Sequence, residues 1–218
     1  MRNLFSFFAV LMFLNVYGQA KVTVTLTGDP NDPKITKKKQ ELESKGFAVE
    51  ISKESEFDRF LKRGDKAFRQ QHLNQSLPPF ELKALDGNTV KSSDLTGKRV
   101  HMNFWSITCK PCIDEFAELS RLRKKYGETD VIYIALAPES TDQVRRVLNR
   151  YPLNYITIAD AKAYLDQIGV DGYPKNFFVD TEGIIRYVTD GTHYKTNLVG
   201  KPVPDNFRFY DEIIKRMQ

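Results

Sequence analysis

The sequence predicts an α/β domain preceded by a smaller α/β appendage, and three observations carry that expectation. From residue 77 onward, short apolar runs alternate with amphipathic stretches, the pattern of strands interleaved with helices. Two late apolar runs meet at Glu182-Gly183, a turn tight enough to add an antiparallel edge to an otherwise parallel sheet. Between the appendage and the main domain, Ser76-Leu77-Pro78-Pro79 breaks the pattern with a double proline.

The elements follow in order. Lys21 to Thr27 sets Val22, Val24 and Leu26 between threonines and reads as a half-buried strand. The turn 28–33 leads into a polar helix over Ile35 to Ser44, Gly46 stops it, and Phe47 to Ile51 is a second strand. One long helix is expected from Glu54 to His72, with Phe57, Phe60, Leu61 and Phe68 on one face. These make up an extension over residues 21–76 to which no chemistry attaches. Asp86-Gly87-Asn88 then turns a hairpin within Phe80 to Val90. Strands are expected at Arg99 to Trp105, Val131 to Leu136, Tyr155 to Ile158, Asn176 to Val179 and Ile184 to Val188. Helices are expected at Cys112 to Tyr126, Thr141 to Tyr151, Ala161 to Ile168 and Asp205 to Met217.

Residues 1–20 have the layout of a secretory signal peptide. Arg2 is the positive end, Leu4 to Val16 is mostly apolar, and Gly18-Gln19-Ala20 is a small-x-small pattern that sets the cut between Ala20 and Lys21. The apolar run falls short of the roughly 20 residues that span a bilayer. The expectation is therefore export, to the periplasm, of a domain spanning residues 77–218 with its extension. A net charge of +5 over 218 residues is modest, and its densest cluster, Lys37-Lys38-Lys39, falls on a solvated helix face. Nucleic acid is not expected as a partner.

The chemistry is concentrated in Trp105-Ser106-Ile107-Thr108-Cys109-Lys110-Pro111-Cys112, which holds both cysteines of the chain. A strand that ends here presents the first thiol at a helix N-terminus, where unpaired N–H groups and the helix dipole favour a thiolate. Such settings bring cysteine pKa values from about 8.5 to roughly 3.5–7.5. The second thiol lies one turn later, within reach of a small disulfide. A bridge this short restrains little of the unfolded chain. Reversible dithiol–disulfide exchange therefore explains the pair better than a structural staple does. Two thiolates alone do not fill a tetrahedral metal shell, so neither metal nor cofactor is expected.

Phe104-Trp105, Cys109-Lys110-Pro111-Cys112 and a helix, followed later by Gly172-Tyr173-Pro174 ahead of a strand, resemble the thioredoxin fold and its cis-proline loop. Phe80-Glu81-Leu82, Ser93-Asp94-Leu95-Thr96-Gly97 and Asn103-Phe104-Trp105 are similar to the exported TlpA/ResA-like branch of the AhpC/TSA/redoxin-type proteins. The resemblance covers residues 77–217 and implies a thioredoxin fold with an N-terminal β-hairpin.

What it implies for the site is specific. Cys109 is the nucleophile and Cys112 the resolving thiol. Lys110 and Pro111 tune the balance between reduced and oxidised forms, Lys110 by favouring the Cys109 thiolate or, on the blander reading, pointing into solvent. Glu115, three residues past Cys112, sits where the branch keeps an acid that influences the thiols. Ala117 departs from the proline those proteins carry two residues further on. Trp105 walls the disulfide, and the backbone of Tyr173 beside Pro174 pairs with the substrate chain. His101 reads as a core residue. The implied partners are proteins with cysteines and a membrane-bound electron donor, in cytochrome c maturation or disulfide quality control. Two other readings compete. A peroxiredoxin-like peroxidase needs a Pro-x-x-x-Thr-x-x-Cys frame, and here Ser106 stands in the Thr position and the proline is absent. A binding module would have no use for the intact pair.

Overall fold

The computed structural model describes residues 10–14, 21–197 and 199–217. The backbone divides into two compact units, residues 1–59 and 60–218.

In the first unit, β1 (Val10–Leu14) runs antiparallel to β2 (Lys21–Thr27), and β2 runs parallel to β3 (Ala48–Ser52). The crossover is α1 (Pro33–Ser44), started by the Asp32 carboxylate on the Lys34 N–H, with Pro33 in its first turn where no N–H is required. Lys38 and Lys45 pair with Glu41, and Lys39 with Glu43, so the lysine cluster lies on a solvated, charge-paired face. Val10–Leu14 falls inside the expected signal peptide. The cut expected at Ala20/Lys21 lies outside the described residues.

The long helix expected over residues 54–72 is two: α2 (Glu56–Lys62) and α3 (Lys66–His72). Gly64 takes φ +74° between them, and Asp65 caps α3 by accepting from the N–H groups of Ala67 and Phe68. A Cβ on Gly64 would lie 2.3 Å from the Asp190 Cβ, so glycine is required on both grounds. Phe60 stacks on Phe209, and Phe68 on Phe177. The Phe60 and Phe68 rings are both buried within the second unit.

The hairpin β4 (Glu81–Lys83) and β5 (Thr89–Lys91), with a 3₁₀ turn at Ser92–Leu95, leads into β6 (Arg99–Phe104). Then come α4 (Lys110–Asp130), β7 (Val131–Leu136), α5 (Thr141–Arg150), β8 (Ile156–Ile158), α6 (Lys162–Gln167), β9 (Lys175–Val179) and β10 (Ile185–Asp190). A second hairpin, β11 (Tyr194–Thr196) with β12 (Pro202–Pro204), precedes α7 (Phe207–Arg216). Non-helical backbone at Gly127 interrupts α4.

The main sheet has the order β10-β9-β6-β7-β8, parallel across β6–β7–β8 and antiparallel across β6–β9–β10. Strand alternation on the central β6 decides what each face holds. Val100, Met102 and Phe104 point into an apolar core with Phe68, Leu136, Leu165 and Phe177. His101 and Asn103 point the other way, where α4 and α7 pack on each other. That second face is where the polar groups of the site collect.

Candidate functional site

Cys109 occupies the N-cap of α4 and Cys112 the end of its first turn. The two form a disulfide with Cα atoms 5.3 Å apart. The Cys112 N–H donates to the Cys109 sulfur at 3.2 Å, the contact that stabilises negative charge on that atom once the bridge opens. Cys112 is fully buried and Cys109 half-buried. Cys109 is the more exposed of the two.

The neighbouring residues are held from several elements. Trp105, just past the end of β6, is buried and meets Phe116 of α4 edge-on. The Lys110 side chain is 81% exposed and bridges to Asp114, one turn on. Tyr194 of β11 donates its hydroxyl to the same Asp114 carboxylate at 3.2 Å. Lys110 thus points into solvent with its charge matched. Thr192 donates to the Pro111 carbonyl at 3.1 Å. On the approach to Cys109, Glu139 accepts from the Ser106 hydroxyl at 2.5 Å and the Ile107 N–H at 3.3 Å. The Tyr173–Pro174 peptide is cis, as the cis-proline loop implied. Lys175 follows at once, its side chain 2% exposed, 3.3 Å from each of Asp65, Asp171 and Asp190 and above the Phe68 ring.

Glu115 lies completely buried one turn below Cys112. Asn103 Nδ2 donates to its Oε1 at 3.0 Å, and Asn206 Nδ2 donates to its Oε2 at 2.5 Å. Burial pushes the carboxyl up to about 8 and the nearby Glu118 adds to this, while the two carboxamides and Thr192 pull it back. Glu118 is itself raised by burial. The network runs on through buried groups. Asn103 also donates to Asn176 Oδ1 at 2.9 Å, and Asn176 donates to the Tyr210 hydroxyl at 2.9 Å. His101 bonds Asn176 through Nε2 and Tyr155 through Nδ1, both at 3.0 Å. Burial pushes this imidazole down to about 3, so it stays neutral, the core residue the sequence suggested.

Every residue expected from the sequence except Tyr173 and Pro174 lies on or beside the start of α4. Sequence reasoning did not single out Glu139, Asn176, Thr192, Tyr194, Asn206 or Tyr210. Each reaches the site from a distant segment and carries no local motif. Among the described residues, no group of three or more His, Cys, Asp or Glu converges as a metal site.

Comparison with known proteins places the chain in a family. Residues 73–188 match the AhpC/TSA family. The chain is 32% identical over 130 residues to the thioredoxin-like protein YneN of Bacillus subtilis, covering 58% of this chain and 76% of that one. It is 32% identical over 133 residues to the thiol-disulfide oxidoreductase ResA of Bacillus thuringiensis, covering 60% and 77%. In fold it is similar to a thiol:disulfide interchange protein DsbE from Chlorobium tepidum, with a TM-score of 0.56 at 24% identity over 67% of this chain and 98% of that one. It is likewise similar to the thioredoxin domain of a thiol-disulfide oxidoreductase from Bacteroides vulgatus, with a TM-score of 0.55 at 18% identity over the same shares. The chain belongs to the AhpC/TSA family and is a thiol–disulfide oxidoreductase with a thioredoxin fold.

Proposed function

We propose that this protein reduces disulfides in exported proteins, with Cys109 as nucleophile and Cys112 as resolving thiol. The unequal burial of the two sulfurs at the start of α4 carries the reading. In the reduced protein, the Cys109 thiolate attacks one sulfur of a substrate disulfide, and the other sulfur leaves as a thiolate. Cys112, deprotonated, then attacks Cys109 Sγ. The mixed disulfide breaks, the second substrate thiolate leaves, and the Cys109–Cys112 bridge closes. Two electrons pass from the pair to the substrate, and a dithiol donor must return them by the same exchange.

Glu115 is the proton relay for the inner thiol. A neutral acid one turn from Cys112 gives its proton to the Cys112 thiolate when the bridge opens, and the carboxylate takes it back when Cys112 must attack. Tyr173 and Pro174 line the approach for the substrate's backbone. Trp105 shields the bridge from beneath, and Lys110 and Pro111 shape the first turn. Export rests on the leader pattern of residues 1–20 and suits a donor anchored in the membrane. Apocytochromes and misoxidised proteins are the substrates this setting offers.

The deciding experiment is the equilibrium potential of the Cys109–Cys112 couple in dithiothreitol mixtures. A value close to the thioredoxin figure of about −270 mV supports a reductase, and one close to the DsbA figure of about −120 mV reverses the direction of electron flow.

A further inference from the structure

Asn206 lies well past residue 188, where the family match ends, yet it is fully buried and touches Glu115. Its orientation is set from outside the site. The His193 N–H donates to Asn206 Oδ1 at 2.7 Å, and a backbone N–H cannot accept, so the carboxamide cannot turn over. The NH₂ group is thereby aimed inward. One hydrogen goes to Glu115 Oε2 at 2.5 Å and the other to the Tyr210 hydroxyl at 3.2 Å. Asn103 meets the opposite oxygen in the same way, spending its second hydrogen on Asn176. Both oxygens of a buried carboxyl thus receive an amide N–H, an arrangement that favours the ionised form.

We propose that Asn206 is a positioning residue for the thiol–disulfide reaction: its locked carboxamide, opposite that of Asn103, keeps Glu115 ionisable at its station below Cys112. This rests on the relay role given to Glu115 above. Without the clamp, burial would hold Glu115 protonated, unable to give its proton to the Cys112 thiolate because the carboxylate left behind would lack donors. The titratable and polar groups acting on it come from several elements. Glu118 comes from α4, Asn103 from β6, Thr192 from the loop after β10, Tyr194 from β11 and Tyr210 from α7, with Tyr155 ahead of β8 and Asp205 acting on Glu118. Glu118, as a like charge, opposes ionisation, so the clamp works against both burial and repulsion.

The test follows the Glu115 carboxyl by carbon NMR against pH in the full chain and in Asn206→Leu. A hydrogen bond to a charged group moves the midpoint by about one to two pH units, so the variant should titrate that much higher. The Glu115-dependent limb of the pH–rate profile for disulfide reduction should move by the same amount. Asn206→Ser, too short to reach Glu115 yet suited to a helix start, serves if the leucine variant does not fold. In the wild-type protein, the Asn206 NH₂ resonances should titrate with the Glu115 midpoint, and their indifference to pH overturns the proposal. So does an unchanged midpoint in a folded variant. Glu115→Gln separates the two claims. If that variant keeps the wild-type pH–rate profile, the relay fails, while the NMR midpoint still judges the clamp.

Discussion

Replacing Glu115 by Gln should change how stability depends on pH, and the size of the change can be worked from the burial. The folded carboxyl is pushed up to about 8 from its usual 4.5. Between those values the folded protein keeps a proton that the unfolded chain releases, so stability falls as pH rises. The loss accrues at about 1.4 kcal/mol per pH unit and totals on the order of 5 kcal/mol once pH passes 8. His101 has the opposite sign. Its folded value is pushed down to about 3 from 6.5, so its contribution is present above 6.5 and is lost as pH falls towards 3. From 4.5 to 6.5 the two slopes cancel. From 6.5 to 8 the Glu115 loss runs on without the His101 gain to oppose it.

Glu115→Gln isolates the acid, because glutamine fills the same space without titrating. One of its two polar ends must face an amide donor of Asn103 or Asn206, an offset of about 1–3 kcal/mol that does not vary with pH. The assay is urea unfolding of the oxidised wild type and variant at pH 5, 6, 7 and 8. The variant should gain on the wild type at every step upward, with the His101 contribution common to both. A difference that stays constant from pH 5 to 8 would refute the buried, neutral Glu115.

Four other outcomes are expected. Cys109→Ser should abolish disulfide reduction, whereas Cys112→Ser should trap a mixed disulfide through Cys109, read by mass spectrometry without reductant. Asp114→Asn frees the Lys110 ammonium and should lower the reduced Cys109 thiol pKa, read from thiolate absorbance, by less than about one unit, since Lys110 is largely in solvent. Lys175→Met removes the ammonium shared by Asp65, Asp171 and Asp190 and should lower the urea midpoint, along with a raised KM because Pro174 follows Tyr173 directly before it. Gly64→Ala should cost more than about 1 kcal/mol, from positive φ and the 2.3 Å approach to the Asp190 Cβ, with little effect on the exchange reaction.

The parts of the fold that were legible in the sequence have local causes, and the parts that were not have distant ones. The alternation of apolar strands and helices located β6, β7, β9 and β10 because each buries its own run. Cys109-x-x-Cys112 and Gly172-Tyr173-Pro174 were legible because a thiol pair at a helix start and a proline before a strand are short-range patterns. The break between α2 and α3 had a local sign as well: Gly64-Asp65 is a helix stop followed by an N-cap. The face carrying Phe57, Phe60, Leu61 and Phe68 concealed it, since apolar spacing continues across the gap. The β11–β12 hairpin left no such trace, because its strands are three residues long and only half-buried at most.

Glu115 shows the limit most clearly. With Asp114 before it and Glu118 one turn on, its local sequence is that of a solvated helix face, and its spacing from Cys112 alone set it apart. Its burial is decided by α7, which packs on α4 and brings Asn206 and Tyr210 across some ninety residues of chain. A carboxyl in that position without donors for both oxygens would be expelled or left permanently protonated. Asn103 and Asn206 supply those donors, one to each oxygen, and each looks, in its own stretch of sequence, like an ordinary polar residue.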